Sequence, residues 1–228
     1  MILGSPNSNN ASISNKAKSQ PEIDWEKINS SLPIGDSKEE KAKRKKMFRD
    51  FDPNGNGLLS LAEIDKSIRL VLNIDALFDA KPAVMRAFQI AKDYKQSNWD
   101  DVGDDYIELK EFKFFLVALR QYFEYWVAFT RIDDDGDRRI SLSEFKQNQE
   151  SMEKWVGPIE DIEVCFNEVD GNGGGLVLFD EFCDWAIKKS LDLDDDVELE
   201  GTNFEEMLAN KDEQPKQTKP RSGYCLQN

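Results

Sequence analysis

The amino-acid sequence predicts an all-α fold, and three observations carry that reading. Apolar residues recur at spacings of three and four in successive segments between residues 19 and 190. Residues 110–132 run without Gly or Pro through Phe112, Phe115, Leu116, Leu119, Tyr122, Phe123, Trp126 and Phe129, which cover more than one helix face. Between the helical segments stand short stretches dense in Asp, Asn, Gly and Ser. Composition sets the outer bounds. The chain has 228 residues, 39% of them hydrophobic, and a formal charge of −15, enough for one or two cores and hostile to nucleic acid. Cations are its natural partners. It holds no histidine, so imidazole bases, histidine zinc ligands and Ser/His or Cys/His pairs are excluded, and the chain is expected not to be an enzyme. Cys165, Cys183 and Cys225 lack CxxC spacing and suggest neither disulfide nor zinc. Its start lacks the basic and apolar regions of a secretory signal. The apolar run 112–129 is broken by Lys113, Arg120, Gln121 and Glu124. An intracellular, cytoplasmic chain without a membrane span is the expectation.

Taken in order, residues 1–18 are Ser- and Asn-rich and read as a disordered tail. Ser19, Pro21 and Glu22 mark a helix start, with Trp25, Ile28 and Leu32 then on one face. Residues 38–51 form a helix with Met47, Phe48 and Phe51 inward. Lys38, Lys41, Lys43, Arg44, Lys45, Lys46 and Arg49 are mostly outward, a basic island that reads as a solvated helix face, with attraction to an anionic membrane surface or an acidic partner as the alternative. The stretch 52–63, DPNGNGLLSLAE, follows. Asp52, Asn54, Asn56, Ser60 and Glu63 supply oxygen at positions 1, 3, 5, 9 and 12, and Leu58 at position 7 supplies a carbonyl. Gly57 allows the bend at position 6, and Leu59 would pair with a second loop across a short ribbon. That arrangement is a calcium cage of the EF-hand kind. Residues 61–72 leave the loop with Ile64, Ile68 and Val71 inward.

The apolar phase places the second loop at 95–111, after Ala87, Ile90, Ala91 and Tyr94 and with Ile107 as ribbon residue and Glu111 as closing glutamate. Seventeen residues stand where twelve are needed, and the first is Lys95, so this hand is expected to be degenerate. The third loop, 133–144, is complete: Asp133, Asp135, Asp137, Ser141 and Glu144, with the Arg139 carbonyl at position 7. Arg138 replaces the expected glycine at a strain of something like 1 kcal/mol. The fourth, 170–181, offers Asp170, Asn172, the Leu176 carbonyl and Glu181. Gly174 and Leu178 contribute no side-chain oxygen, which leaves open whether it binds an ion. Past residue 190 the chain turns acidic, from Asp192 to Glu200, and reads as a solvated tail.

The organisation predicted is therefore two paired EF-hand lobes. Residues 1–18 form a disordered tail, 19–121 the N-terminal pair with a preceding helix, 122–190 the C-terminal pair, and 191–228 an acidic, disordered tail. Calcium is expected at the first and third loops, with the fourth left open as a third. The readings that follow are a sensor, which exposes an apolar surface to a protein target, and a buffer that changes little. The segments DWEKINSSLP, KKMFRDFDPNGNGLLS, DYIELKEFKFFL and FDEFCDWA resemble the calflagins, the flagellar calcium-binding proteins of trypanosomatids, and related ciliate proteins. The resemblance runs from residue 24 to about residue 193. It implies a four-hand calcium sensor of a cilium or flagellum, held at membrane by N-terminal acylation. Ile2 stands where myristoylation requires Gly.

Overall fold

The computed structural model describes residues 23–92, 105–189, 191, 204 and 208. Asp24 caps the first helix by accepting the Lys27 amide at 2.9 Å, and α1 (Trp25–Ser31) follows. The helix thus begins later than Ser19 and Glu22 suggest; those two lie outside the described residues, and Ile23 and Asp24 are not helical. Ser37 caps α2 (Lys38–Phe51), where Phe48 and Phe51 are buried as expected. Arg44 is buried too, against the outward expectation. Its guanidinium donates to the carbonyls of Pro33 at 2.6 Å and Gly35 at 3.1 Å, which fastens the α1–α2 turn.

Beyond the first loop, β1 (Leu58–Leu59) leads into α3 (Leu61–Ser67) and then a π-helical turn over Ile68–Leu72. The wider turn shifts the inward phase by one residue, so Leu72 is buried and Val71 is exposed, contrary to the 3.6-residue period. Asn73, at φ 53, ends it. The short α4 (Asp75–Asp79) and α5 (Lys81–Lys92) bring Ala83, Val84, Ala87, Phe88 and Ala91 into the core. Tyr94, an expected inward residue, lies outside the described residues. Then come β2 (Ile107–Glu108) and α6 (Leu109–Ile132), the uninterrupted helix the sequence requires. The C-terminal half adds β3 (Ile140–Ser141), α7 (Leu142–Gln147), α8 (Gln149–Val156), α9 (Ile162–Val169), β4 (Leu176–Val177) and α10 (Phe179–Lys188).

Each half closes through a two-residue antiparallel ribbon. Leu59 pairs with Ile107 and Leu58 with Glu108; Ile140 pairs with Val177 and Ser141 with Leu176. The ribbons join first loop to second and third to fourth, the two lobes expected. α6 leaves the first lobe and enters the second, and aromatic contacts hold it at both ends. Phe112 meets Phe48 at 5.3 Å and Phe51 at 5.6 Å, while Phe129 meets Phe179 at 5.6 Å and Phe182 at 5.7 Å. Midway, buried Arg120 bonds Glu124 at 2.7 Å and the Asn29 side chain at 2.6 Å, and lies 4.4 Å over the Trp25 ring, so α1 is pinned to α6. Between lobes, Arg86 of α5 bridges Asp180 and Asp184 of α10 and stands 5.3 Å over the Tyr122 ring.

Past α10 the structure describes three positions of the segment read as a tail. Leu191 and Phe204 are buried, and Leu208 packs against the same core. Phe204 stacks on Phe114 at 6.2 Å and meets Tyr122 edge-on at 5.5 Å. Phe204 thus packs on α6. Among the described residues no helix is long and apolar enough to cross a membrane.

Candidate metal centre

The three candidate loops share one scaffold of side-chain to backbone bonds. Asp52 ends α2 and accepts the amides of Gly55 at 2.9 Å, Asn56 at 3.2 Å and Gly57 at 2.8 Å. Asp133 ends α6 and accepts Gly136 at 2.8 Å and Arg138 at 3.0 Å; Asp170 ends α9 and accepts Gly174 at 3.0 Å and Gly175 at 2.8 Å. The next ligand positions repeat the pattern one step on. Asn54 accepts Asn56 at 2.9 Å and Asn56 accepts Leu58 at 2.8 Å; Asp135 accepts Asp137 at 2.9 Å and Asp137 accepts Arg139 at 2.8 Å. Each bond turns the chain around its own side-chain oxygen, which gathers the carbonyl and carboxyl groups toward the inside of the turn.

The closing glutamates also match. Glu63 and Glu144 each form a capping box with the serine three residues before, accepting its amide at 2.9 Å and 2.8 Å and its hydroxyl at 2.7 Å in both. Their other oxygens reach across the loop, Glu63 to the Asn54 side-chain amide and Glu144 to the amides of Asp134 and Asp135. Glu181 does the same with Leu178 at 2.9 Å and Asn172 at 3.0 Å. These cross-loop donors carry no sequence signature, being mainly backbone amides.

The loops differ in charge. In the third, carboxylate oxygens of Asp133, Asp135 and Asp137 lie within 4.8 Å of one another. At that separation like charges repel by roughly 1 to 4 kcal/mol per pair, depending on the local dielectric, and a divalent cation would reverse the sign. Burial pushes the Asp133 carboxyl up, with Glu144 and Asp137 adding to it against the amides of Gly136 and Arg138. For Glu144 burial acts the same way, but bonds from Ser141, Asp135 and Asp134 outweigh it and hold the carboxyl below its ordinary range. An all-oxygen set of this kind fits a hard cation such as calcium. The first loop fits with two carboxylates, Asp52 and Glu63, beside the amide oxygens of Asn54 and Asn56 and the hydroxyl of Ser60. In the fourth, Leu178 is exposed at position 9, where no oxygen is offered. Leu58 and Leu176 occupy position 7 within the ribbons and Arg139 just before one, and a carbonyl there would be the ligand atom.

The second hand keeps its exit half. Ile107 pairs opposite Leu59, and Glu111 accepts the Glu108 amide at 2.9 Å in the manner of the other closing glutamates. Residues 93–104, which hold most of its loop, lie outside the described residues.

Two lobes of ribbon-joined helix–loop–helix units, with oxygen side chains gathered in the loops, define an EF-hand protein. The FCaBP EF-hand domain model matches residues 28–119. The flagellar calcium-binding protein TB-17 of Trypanosoma brucei brucei is 35% identical over 191 residues, 82% of each chain. That of Trypanosoma cruzi is 33% identical over 173 residues, 75% of this chain and 82% of the relative. TB-44A of Trypanosoma brucei brucei is 34% identical over 205 residues, 89% of this chain but only 50% of its own length. The chain belongs to the flagellar calcium-binding protein family of EF-hand proteins.

Proposed function

We propose that the chain is a calcium sensor, a binding protein rather than an enzyme, which takes ions at the first and third loops and presents an apolar surface to a protein target. The observation that carries this reading is the position of α6. Asp133 is both the C-terminal cap of α6 and the first ligand position of the third loop, while Glu111, in the first turn of α6, closes the second. An ion drawing the third-loop carboxylates together therefore acts on a helix whose aromatic residues form the core of both lobes. Asp133, Asp135, Asp137, Ser141, Glu144 and the Arg139 carbonyl would hold one ion. Asp52, Asn54, Asn56, Ser60, Glu63 and the Leu58 carbonyl would hold another. The fourth loop, through Asp170, Asn172, Glu181 and the Leu176 carbonyl, is a weaker third site.

Fluorescence of an apolar dye, read with calcium and with a chelator, tests the sensor. A rise with calcium is expected; an unchanged signal would make the protein a buffer. The relatives' names place them at a flagellum, and we propose a cilium or flagellum as this chain's place of action, to be checked by imaging a tagged chain. The exposed face of α2, with Lys38, Lys41, Lys45 and Arg49, supports contact with anionic membrane.

A further inference from the structure

The two aspartates that flank Glu181 are bonded to the other lobe. Asp180 stands just before the closing glutamate of the fourth loop and Asp184 three residues after it, and both accept from the guanidinium of Arg86 on α5, Asp180 at 2.9 Å. Arg86 also lies 5.3 Å over the Tyr122 ring of α6, and its Nε is buried without a hydrogen-bond partner among the described residues. The cation is thus fixed and largely covered, with its side chain 20% exposed, whereas Asp180 and Asp184 stay 75% and 60% exposed. We propose that Arg86 sets the calcium affinity of the fourth loop from outside it, as a positive charge supplied by the first lobe that offsets the carboxylates beside Glu181 and keeps the site weak.

Two effects of Arg86 compete, and the geometry decides between them. As a clamp it would place α10, and Glu181 with it, so that its loss would weaken the site. Glu181, however, is already placed from within the loop, by the Leu178 amide at 2.9 Å and the Asn172 amide at 3.0 Å, bonds that do not involve Arg86. What remains is charge. The fourth loop has only Asp170 and Glu181 as ligand carboxylates, so neighbouring charges make up a large share of its field. Arg86, Asp180 and Asp184 carry one positive and two negative charges, a net of −1, which becomes −2 without Arg86. Both aspartates face water, so neither is then left as a buried, unpaired charge. A unit charge roughly 10 Å from a divalent ion changes its affinity about fourfold in water, and screening over about 8 Å at physiological salt reduces the effect. The linkage is reciprocal: an ion at the fourth loop weakens the hold of Arg86 on α10 by the same factor. The second hand, degenerate in its own loop, thus acts on the fourth through its entering helix.

The proposal rests on the reading of the fourth loop as a calcium site, and one set of titrations keeps the two apart. In the full chain, Glu63→Gln and Glu144→Gln silence the first and third loops, and calcium binding is followed by calorimetry at low salt. In that background Arg86→Met, which keeps packing on Tyr122 but removes the charge, should tighten the remaining site about three- to tenfold. Asp184→Asn should loosen it by about as much, and Arg86→Met with Asp184→Asn should return it to the starting value, because the net charge is restored. Arg86→Lys should leave it there too. Asp180→Asn, a change at an exposed side chain, should loosen the site like Asp184→Asn and tests the charge without touching the core. Added salt should shrink every difference. A clamp would give another pattern: each single change weakens binding, the double change does not restore it, and salt matters little. That pattern, or equal affinity in all the chains, overturns the role of Arg86 and leaves the fourth site standing. If neither the background nor its Arg86→Met form shows a site that Glu181→Gln removes, the fourth-loop reading falls and the proposal falls with it.

Discussion

Arg138 sits at φ 69, where the first and fourth loops have Gly57 at φ 77 and Gly175 at φ 80. A left-handed non-glycine residue costs roughly 1 kcal/mol, and the turn persists because the Arg138 amide is needed by Asp133. Arg138→Gly should raise stability by about 1 kcal/mol in urea unfolding with a chelator present, since the amide is retained and the Cβ clash removed. At the other end of the loop, Glu144 provides the closing carboxylate. Glu144→Gln should abolish binding at the third site, and calorimetric titration should then count one site fewer; unchanged number and affinities would refute the assignment. The same titration ranks the loops. With four carboxylates in the third loop against two in the first, the third is expected to titrate as the tighter site in the unaltered chain.

Among the elements, the π-helical turn Ile68–Leu72 is where periodicity alone misplaces a side chain. Its wider repeat turns Val71 to solvent at 41% exposure and brings Leu72 into the core at 8%. Leu72→Ala should therefore cost about 2 to 4 kcal/mol in unfolding experiments, and Val71→Ala within roughly 0.5 kcal/mol of nothing. The reverse order would mean that α3 continues unwidened. The second hand gives a different test. Glu111 already serves as an N-terminal cap for α6 through the Glu108 amide, so its role is met by structure alone. Glu111→Gln should leave the calcium titration nearly unaltered, and a lost site would show that the stretched loop binds after all.

For the whole molecule, charge is the long-range term. The basic face of α2 is smaller than its sequence suggests: Arg44 is buried, Lys43 pairs with Glu40 at 3.0 Å and Lys46 with Asp50 at 2.7 Å. The acidic run from Asp192 lies outside the described residues, and we propose that it screens what remains of this face. Exposed pairs contribute only about 0 to 1 kcal/mol each and are screened over roughly 8 Å at physiological salt, so the attraction is loose. Changing Asp192, Asp194, Asp195 and Asp196 to asparagine leaves Phe204 in place. It should increase binding to anionic vesicles at low salt, and added salt should remove the gain. Equal binding by both chains would leave the α2 lysines as an ordinary solvated face.

The sequence by itself determined the all-helical class, the bounds of α2, the unbroken α6, the ribbon partners Leu59 and Ile107, and the loop positions offering oxygen. These follow from local rules: side-chain period, capping, and the fixed spacing a chelating turn imposes on the chain. Tertiary structure alone decided the burial of Arg44, the inward turn of Leu72, the Arg86 bridge between lobes and the seating of Phe204 on α6. Each depends on a partner far along the chain or on a change of helical repeat. A basic side chain is buried where two carbonyls accept from it, and the Phe204 ring sits where those of Phe114 and Tyr122 meet it. Neither the carbonyls nor the rings can be placed from the residues beside them.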